Sequence, residues 1–104
     1  MTGEIPTIRQ LSRWLRRTFP VGPNIGHVRS LPFVGDVQNW LGYTTIHGNI
    51  KLNSLTPLYV QHDSLIHEWA HARVGWNREP HTQAFWIELG RITNAFHRWW
   101  EKED

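Results

Sequence analysis

HEWAHARVGWNREPH, residues 67–81, decides how the rest of this chain is read. His67 and His71 stand four residues apart, Glu68 follows the first of them, and the flanking residues are apolar enough to be buried. On a helix, positions i and i+4 share a face, one above the other at a rise of about 5.4 Å per turn. Leu65, Trp69, Ala72 and Trp76 fall on one side of that helix, and Ile66, Ala70 and Val74 on another. A helix apolar on most faces is a central one. Three ionisable groups on a central helix are costly unless something satisfies them.

A divalent cation would satisfy them; the other reading is two hydrogen-bonded core histidines and a paired glutamate. Two imidazole nitrogens one turn apart can converge on one ion at about 2.0–2.1 Å, as zinc requires. Glu68 lies about 100° round the helix, out of reach as a ligand but within reach of a water on the metal. The pattern HExxH therefore predicts zinc on His67 and His71, with Glu68 as the general base of amide hydrolysis. Catalytic zinc usually takes a third protein ligand and keeps one open position. His81, just past a turn over 76–80, is one candidate. Glu88, seven residues further on and on the same predicted helix face, is the other.

Working outward, residues 7–19 read as a helix capped by Thr7, with Ile8, Leu11, Leu15 and Phe19 on one face. Arg9, Arg13, Arg16 and Arg17 fall away from it. Pro and Gly mark 20–26 as a loop, and 32–40 reads as another. Residues 27–31, 43–47 and 50–53 read as strands, the last two joined by a tight turn at Gly48-Asn49. Strand 50–53, if it lies at a sheet edge, offers a pairing site for a peptide. The helix carrying the motif starts at Thr56-Pro57 or at Asp63-Ser64 and stops near Gly75. A last helix, about 82–100, carries the stripe Phe85, Leu89, Ile92, Phe96 and Trp99. Gly90 in its middle suggests close approach to the zinc helix. The expected architecture is a single α+β domain over 1–104, a small, mostly antiparallel three-stranded sheet packed with three helices.

Composition narrows the function classes. With no cysteine there is no disulfide framework and no thiolate metal site. The first residues lack the apolar run of a signal peptide, and no stretch suits a membrane span, so a cytoplasmic protein is expected. Net charge is +4 over residues 1–52 and −2 over 53–104. The arginines of the first helix suggest a DNA contact, with solvated arginines as the other reading. Tyr43 and Tyr59 are candidates for oxyanion stabilisation. His27, His47, His62 and His97 lack ligand spacing and read as surface or locally bonded. Trp14, Trp40, Trp86, Trp99 and Trp100 read as core or rim packing.

SLIHEWAHAR followed by HTQAFWIELGRI resembles the SprT-like zinc metallopeptidases, the group that includes the Spartan proteases. The shared elements are Leu65-Ile66, His67 to Ala72, His81, Phe85 and Leu89, with GNIKLN upstream resembling the strand before the family's zinc helix. Where many members carry a glycine after the third His, this chain has Thr82. The resemblance covers about residues 43–95. It implies a zincin-like fold, zinc at His67, His71 and His81, Glu68 as catalytic base, and a protein or peptide substrate, in some members protein attached to DNA. The chain would then be a minimal catalytic core. The alternative reading is a nucleic-acid-associated binding module with a structural zinc and no proteolysis.

Overall fold

The computed structural model describes residues 5–33, 40–75 and 81–101. Its elements run α1 (Ile8–Thr18), β1 (Val28–Leu31), β2 (Gly42–Thr44), β3 (Ile50–Asn53), α2 (Leu58–Val74) and α3 (Gln83–Glu101). The α+β class is as expected. The expected turn over 76–80, Trp76, and most of the expected loop over 32–40 lie outside the described residues.

Helix α1 starts where its sequence says. Thr7 accepts from the Gln10 backbone N–H at 3.0 Å, and the Gln10 side chain accepts from the Thr7 N–H at 2.8 Å. This reciprocal pair satisfies two of the amide donors that a helix start leaves open. Leu11, Trp14, Leu15 and Phe19 are buried. One of the four arginines departs from the expected solvent face. Arg16 turns inward, donates to the Ile25 carbonyl at 2.7 Å and lies over the Trp69 ring.

The sheet is mixed, not mostly antiparallel, with order β1-β3-β2. β2 pairs antiparallel with β3, but β1 pairs parallel with it, Val28 opposite Ile50 and Leu31 opposite Asn53. The β2–β3 hairpin is local and its turn chemistry is visible in sequence. The β1–β3 pairing joins residues more than twenty apart, and no local pattern encodes it. β3 is therefore the central strand, not an edge, so a peptide cannot add to it. β2 is the edge strand beside α2, and among the described residues no strand pairs with its outer side.

The hairpin turn is also wider than expected. β2 ends at Thr44, Thr45 N–H bonds the Asn49 carbonyl at 2.7 Å, and Gly48 N–H bonds the Thr45 carbonyl at 2.9 Å. Gly48 has φ 85°, the left-handed position that closes a three-residue loop. The glycine sets the turn, but as the third residue of the loop, where a two-residue turn would have it first.

α2 takes the earlier of its two possible starts, after Pro57, and ends at Gly75, whose N–H bonds the His71 carbonyl at 2.9 Å. It is the centre of the molecule, packed against α1, α3, β2 and β3. Leu65, Trp69 and Ala70 are fully buried among Ile50, Leu52, Phe85 and Ile92. Burying each large side chain contributes about 1.5–3 kcal/mol. The Trp69 indole still finds a partner, donating to the Phe19 carbonyl at 2.8 Å. Asn53, buried at the end of β3, holds both sides of the β1–β2 connection. Its Oδ1 accepts from Phe33 N–H and its Nδ2 donates to the Trp40 carbonyl.

Candidate metal centre

The 3.6-residue period places His67 and His71 on one face of α2, ring centroids 4.9 Å apart. His81 enters from the turn before α3. Its Nε2 is 3.3 Å from His67 Nε2, and its ring centroid is 5.0 Å from that of His71. One ring nitrogen from each of the three lies within 4.8 Å of the others. Two nitrogens bonded to one zinc at 2.0–2.1 Å with tetrahedral angles are about 3.3–3.4 Å apart. The His67–His81 spacing matches that figure and is equally the length of an N–H···N hydrogen bond between the two rings; an all-imidazole donor set suits zinc.

Phe85 forms the floor of the cluster. It is fully buried, stacked 4.2 Å from His71, and 4.9 Å from both His67 and His81. Thr82 explains how it gets there. Its hydroxyl accepts from the Phe85 N–H at 3.2 Å, the bond of an N-terminal helix cap. That cap starts α3 directly after His81. Trp86 is half-exposed beside His81, ring centroids 5.4 Å apart.

The cluster favours neutral imidazole, the form that binds metal. Burial holds His71 down to about 4 from the ordinary 6.5, with charge repulsion from His67 and His81 adding to it. His67 is lowered by burial first and by His81 second. At neutral pH His67 and His71 are therefore held uncharged, each with one ring nitrogen carrying a lone pair.

Glu68 is 9% exposed and sits against the edge strand, where the Thr44 hydroxyl donates to its Oε1 at 2.6 Å. Burial raises its pKa above the carboxylate norm, and the Thr44 bond and nearby His81 partly oppose that rise. A carboxylate so placed is a stronger base than one in water. It opens, with His67, onto a cleft of about 330 Å³ bounded by Leu41, Gly42, Asp63 and Ser64.

Glu88, the other candidate ligand, is engaged elsewhere. Arg73 donates to its Oε2, and Arg91 donates to its Oε1 at 2.6 Å. Arg73 also donates to the Pro20 carbonyl at 2.6 Å. The expected role for Gly90 is not seen, since a Cβ there would meet nothing within 4 Å. Tyr43 packs between Phe33 and Trp40, at 5.6 and 5.5 Å, and Tyr59 is exposed in the first turn of α2. Eight residues separate Tyr59 from His67, about 12 Å along the helix. His62 is buried with Nε2 2.7 Å from the Pro6 carbonyl, tying the chain start to α2. His27, His47 and His97 are exposed.

Sequence reasoning missed Thr44 and Arg73. Arg73 was detectable as a charge on an otherwise apolar helix, which demands a partner. Thr44 carried no such signal, because only the docking of β2 on α2 brings it to Glu68.

Comparison of the chain with protein-family models, with curated proteins and with solved structures gives no match. No helix among the described residues is long and apolar enough to cross a membrane.

Proposed function

We propose that this protein is a zinc-dependent endopeptidase of the SprT-like, zincin-like kind, with His67, His71 and His81 holding the metal and Glu68 acting as general base. The observation that carries the reading is the convergence of three imidazoles from two segments beside a buried carboxylate that opens on a cleft. Among the described residues, the cluster offers three ligands and no fourth. That favours a catalytic site over a structural one, which four protein ligands would close.

When bound, zinc supplies Lewis acidity toward a carbonyl and toward water. The chain's own residues do the rest. Hydrolysis adds water across the C–N bond, so a proton must leave water and reach the departing amine nitrogen. Glu68 accepts that proton and returns it. Phe85 and the burial of His71 keep bulk water from the inner side of the imidazoles. The substrate backbone pairs with the open edge of β2, which runs beside the cleft.

Glu68→Gln tests the reading. It should keep zinc and lose about 10²–10⁴-fold in turnover on casein or a peptide library. Full activity in that variant would refute the mechanism. A DNA contact is a lesser part of the proposal. Arg9 and Arg13 line a groove of about 450 Å³ with Ser12 and Val28. DNA binding that weakens steeply with salt, and further in Arg9→Ala/Arg13→Ala, would support it. Such binding without proteolysis would favour the structural-zinc alternative.

A further inference from the structure

We infer that Thr44 is a positioning residue for Glu68: the edge strand delivers its hydroxyl to one carboxylate oxygen and so fixes the direction in which the other points. The inference rests on the peptidase reading above and extends it to a residue outside the HExxH motif.

The geometry has three parts. First, side chains alternate along a strand, so Gly42 and Thr44 share one face of β2 and Tyr43 takes the other. Tyr43 is committed to Phe33 and Trp40, which fixes the face that Gly42 and Thr44 turn toward α2. Second, residue 42 sits where β2 packs closely on β3 and within contact of α2, with little room for a side chain. A Cβ built there would be 3.0 Å from the Lys51 carbonyl oxygen, 3.2 Å from Leu52 Cδ2 and 3.5 Å from Ser64 Cβ. A larger residue would crowd the Lys51 carbonyl and Leu52 on β3 and so shift β2, whereas its contact with Ser64 on α2 would be an ordinary one. Third, the approach ends in a 2.6 Å bond from Thr44 Oγ1 to Glu68 Oε1. Hydrogen bonds of that length to a carboxylate are the strong, charge-assisted kind.

The consequence is mechanical. A glutamate has three rotatable bonds, and a carboxylate free to turn spends little time aimed at a reactant. With Oε1 held by Thr44, Oε2 is left to take the proton. The register of β2 on β3, Thr44 opposite Ile50, therefore sets the aim of the base. The edge strand becomes part of the reaction geometry as well as a place for substrate to pair.

The test compares Thr44→Val, Thr44→Ser, Gly42→Ala and Glu68→Gln with the zinc-loaded parent, alongside crystal structures of the parent and Thr44→Val, metal-free and zinc-loaded. Thr44→Val keeps the shape and removes the donor. Its kcat should fall about tenfold to a hundredfold with KM within about twofold of the parent. Thr44→Ser should restore most of the loss, and Gly42→Ala should give a smaller loss by moving the strand. In the metal-free crystals the Glu68 carboxylate should be single and bonded to residue 44 in the parent, and displaced or split in Thr44→Val. Full turnover in Thr44→Val beside a dead Glu68→Gln would overturn the inference and leave the peptidase reading standing. Failure of Thr44→Ser to recover would also overturn it. Should the parent cleave nothing, the peptidase reading falls, and the inference falls with it if the carboxylate sits identically in both crystals.

Discussion

Two polar clusters meet at the seam between α2 and α3, and they handle buried polarity in opposite ways. Arg73, Glu88 and Arg91 are complete as they stand. Both oxygens of Glu88 are occupied, and the two guanidinium groups also rest against the Phe19 ring at 5.5 and 5.9 Å. His67, His71 and His81 gather nitrogens of like character within 4.8 Å. In the first cluster both oxygens of the single carboxylate take a guanidinium donor, so the anion is fully paired within the chain. The second gathers nitrogens of like character, a set that could hold a metal ion. A cluster of opposite charges serves the fold, and one of converging like nitrogens is the place to test for a cation.

Removing the cation should have the largest effect on stability. A ligand at a thousand times its dissociation constant stabilises by about 4 kcal/mol. Chelation should therefore lower the melting temperature by roughly 15 °C or more, read by calorimetry. His71→Ala should melt near the chelated parent and gain nothing from zinc. A parent indifferent to chelator would erase the contrast between the clusters.

Breaking the closed cluster comes next. Glu88→Ala leaves two guanidinium groups without their carboxylate. The cost should be about 2–4 kcal/mol, below the fully buried case because the Arg91 side chain is 60% exposed. Zinc stoichiometry should not change. Loss of zinc in a folded Glu88→Gln would mean that the carboxylate belongs to the metal site.

Acid should separate the clusters further. His71 titrates near 4 when folded and near 6.5 when unfolded, so between those values the unfolded chain binds more protons. The metal-free protein should lose stability as pH falls through that window, and His71→Gln should flatten the slope. Zinc should be released over the same range, because protons and metal compete for the same lone pairs.

The smallest effect tests the outer face of α3. Gly90 has open space around its α-carbon, so Gly90→Ala should stabilise by about 0.5–1 kcal/mol through helix propensity alone. A destabilised variant would mean that the glycine is there for a contact.

What sequence made legible follows the range of each interaction. The capping of α1 by Thr7 and Gln10, the stop at Gly75 and the His67–His71 face all depend on residues a few positions apart, and each is readable. His81 was readable as a candidate because a short turn constrains where it can go. The parallel β1–β3 pairing, the central place of β3 and the Thr44–Glu68 bond depend on residues about twenty or more apart. No period or cap announces them. Glu88 was readable as a candidate through its spacing from His81, but its pairing with Arg73 depends on the packing of α3 on α2 and was not.

The most direct measurement is zinc stoichiometry by native mass spectrometry on the parent, His81→Ala and Glu88→Gln. The account predicts one zinc per chain in the parent and in Glu88→Gln, and none retained by His81→Ala. A parent that takes up no zinc, or a His81→Ala that holds it as firmly as the parent, would contradict the claim that these three imidazoles are a metal site.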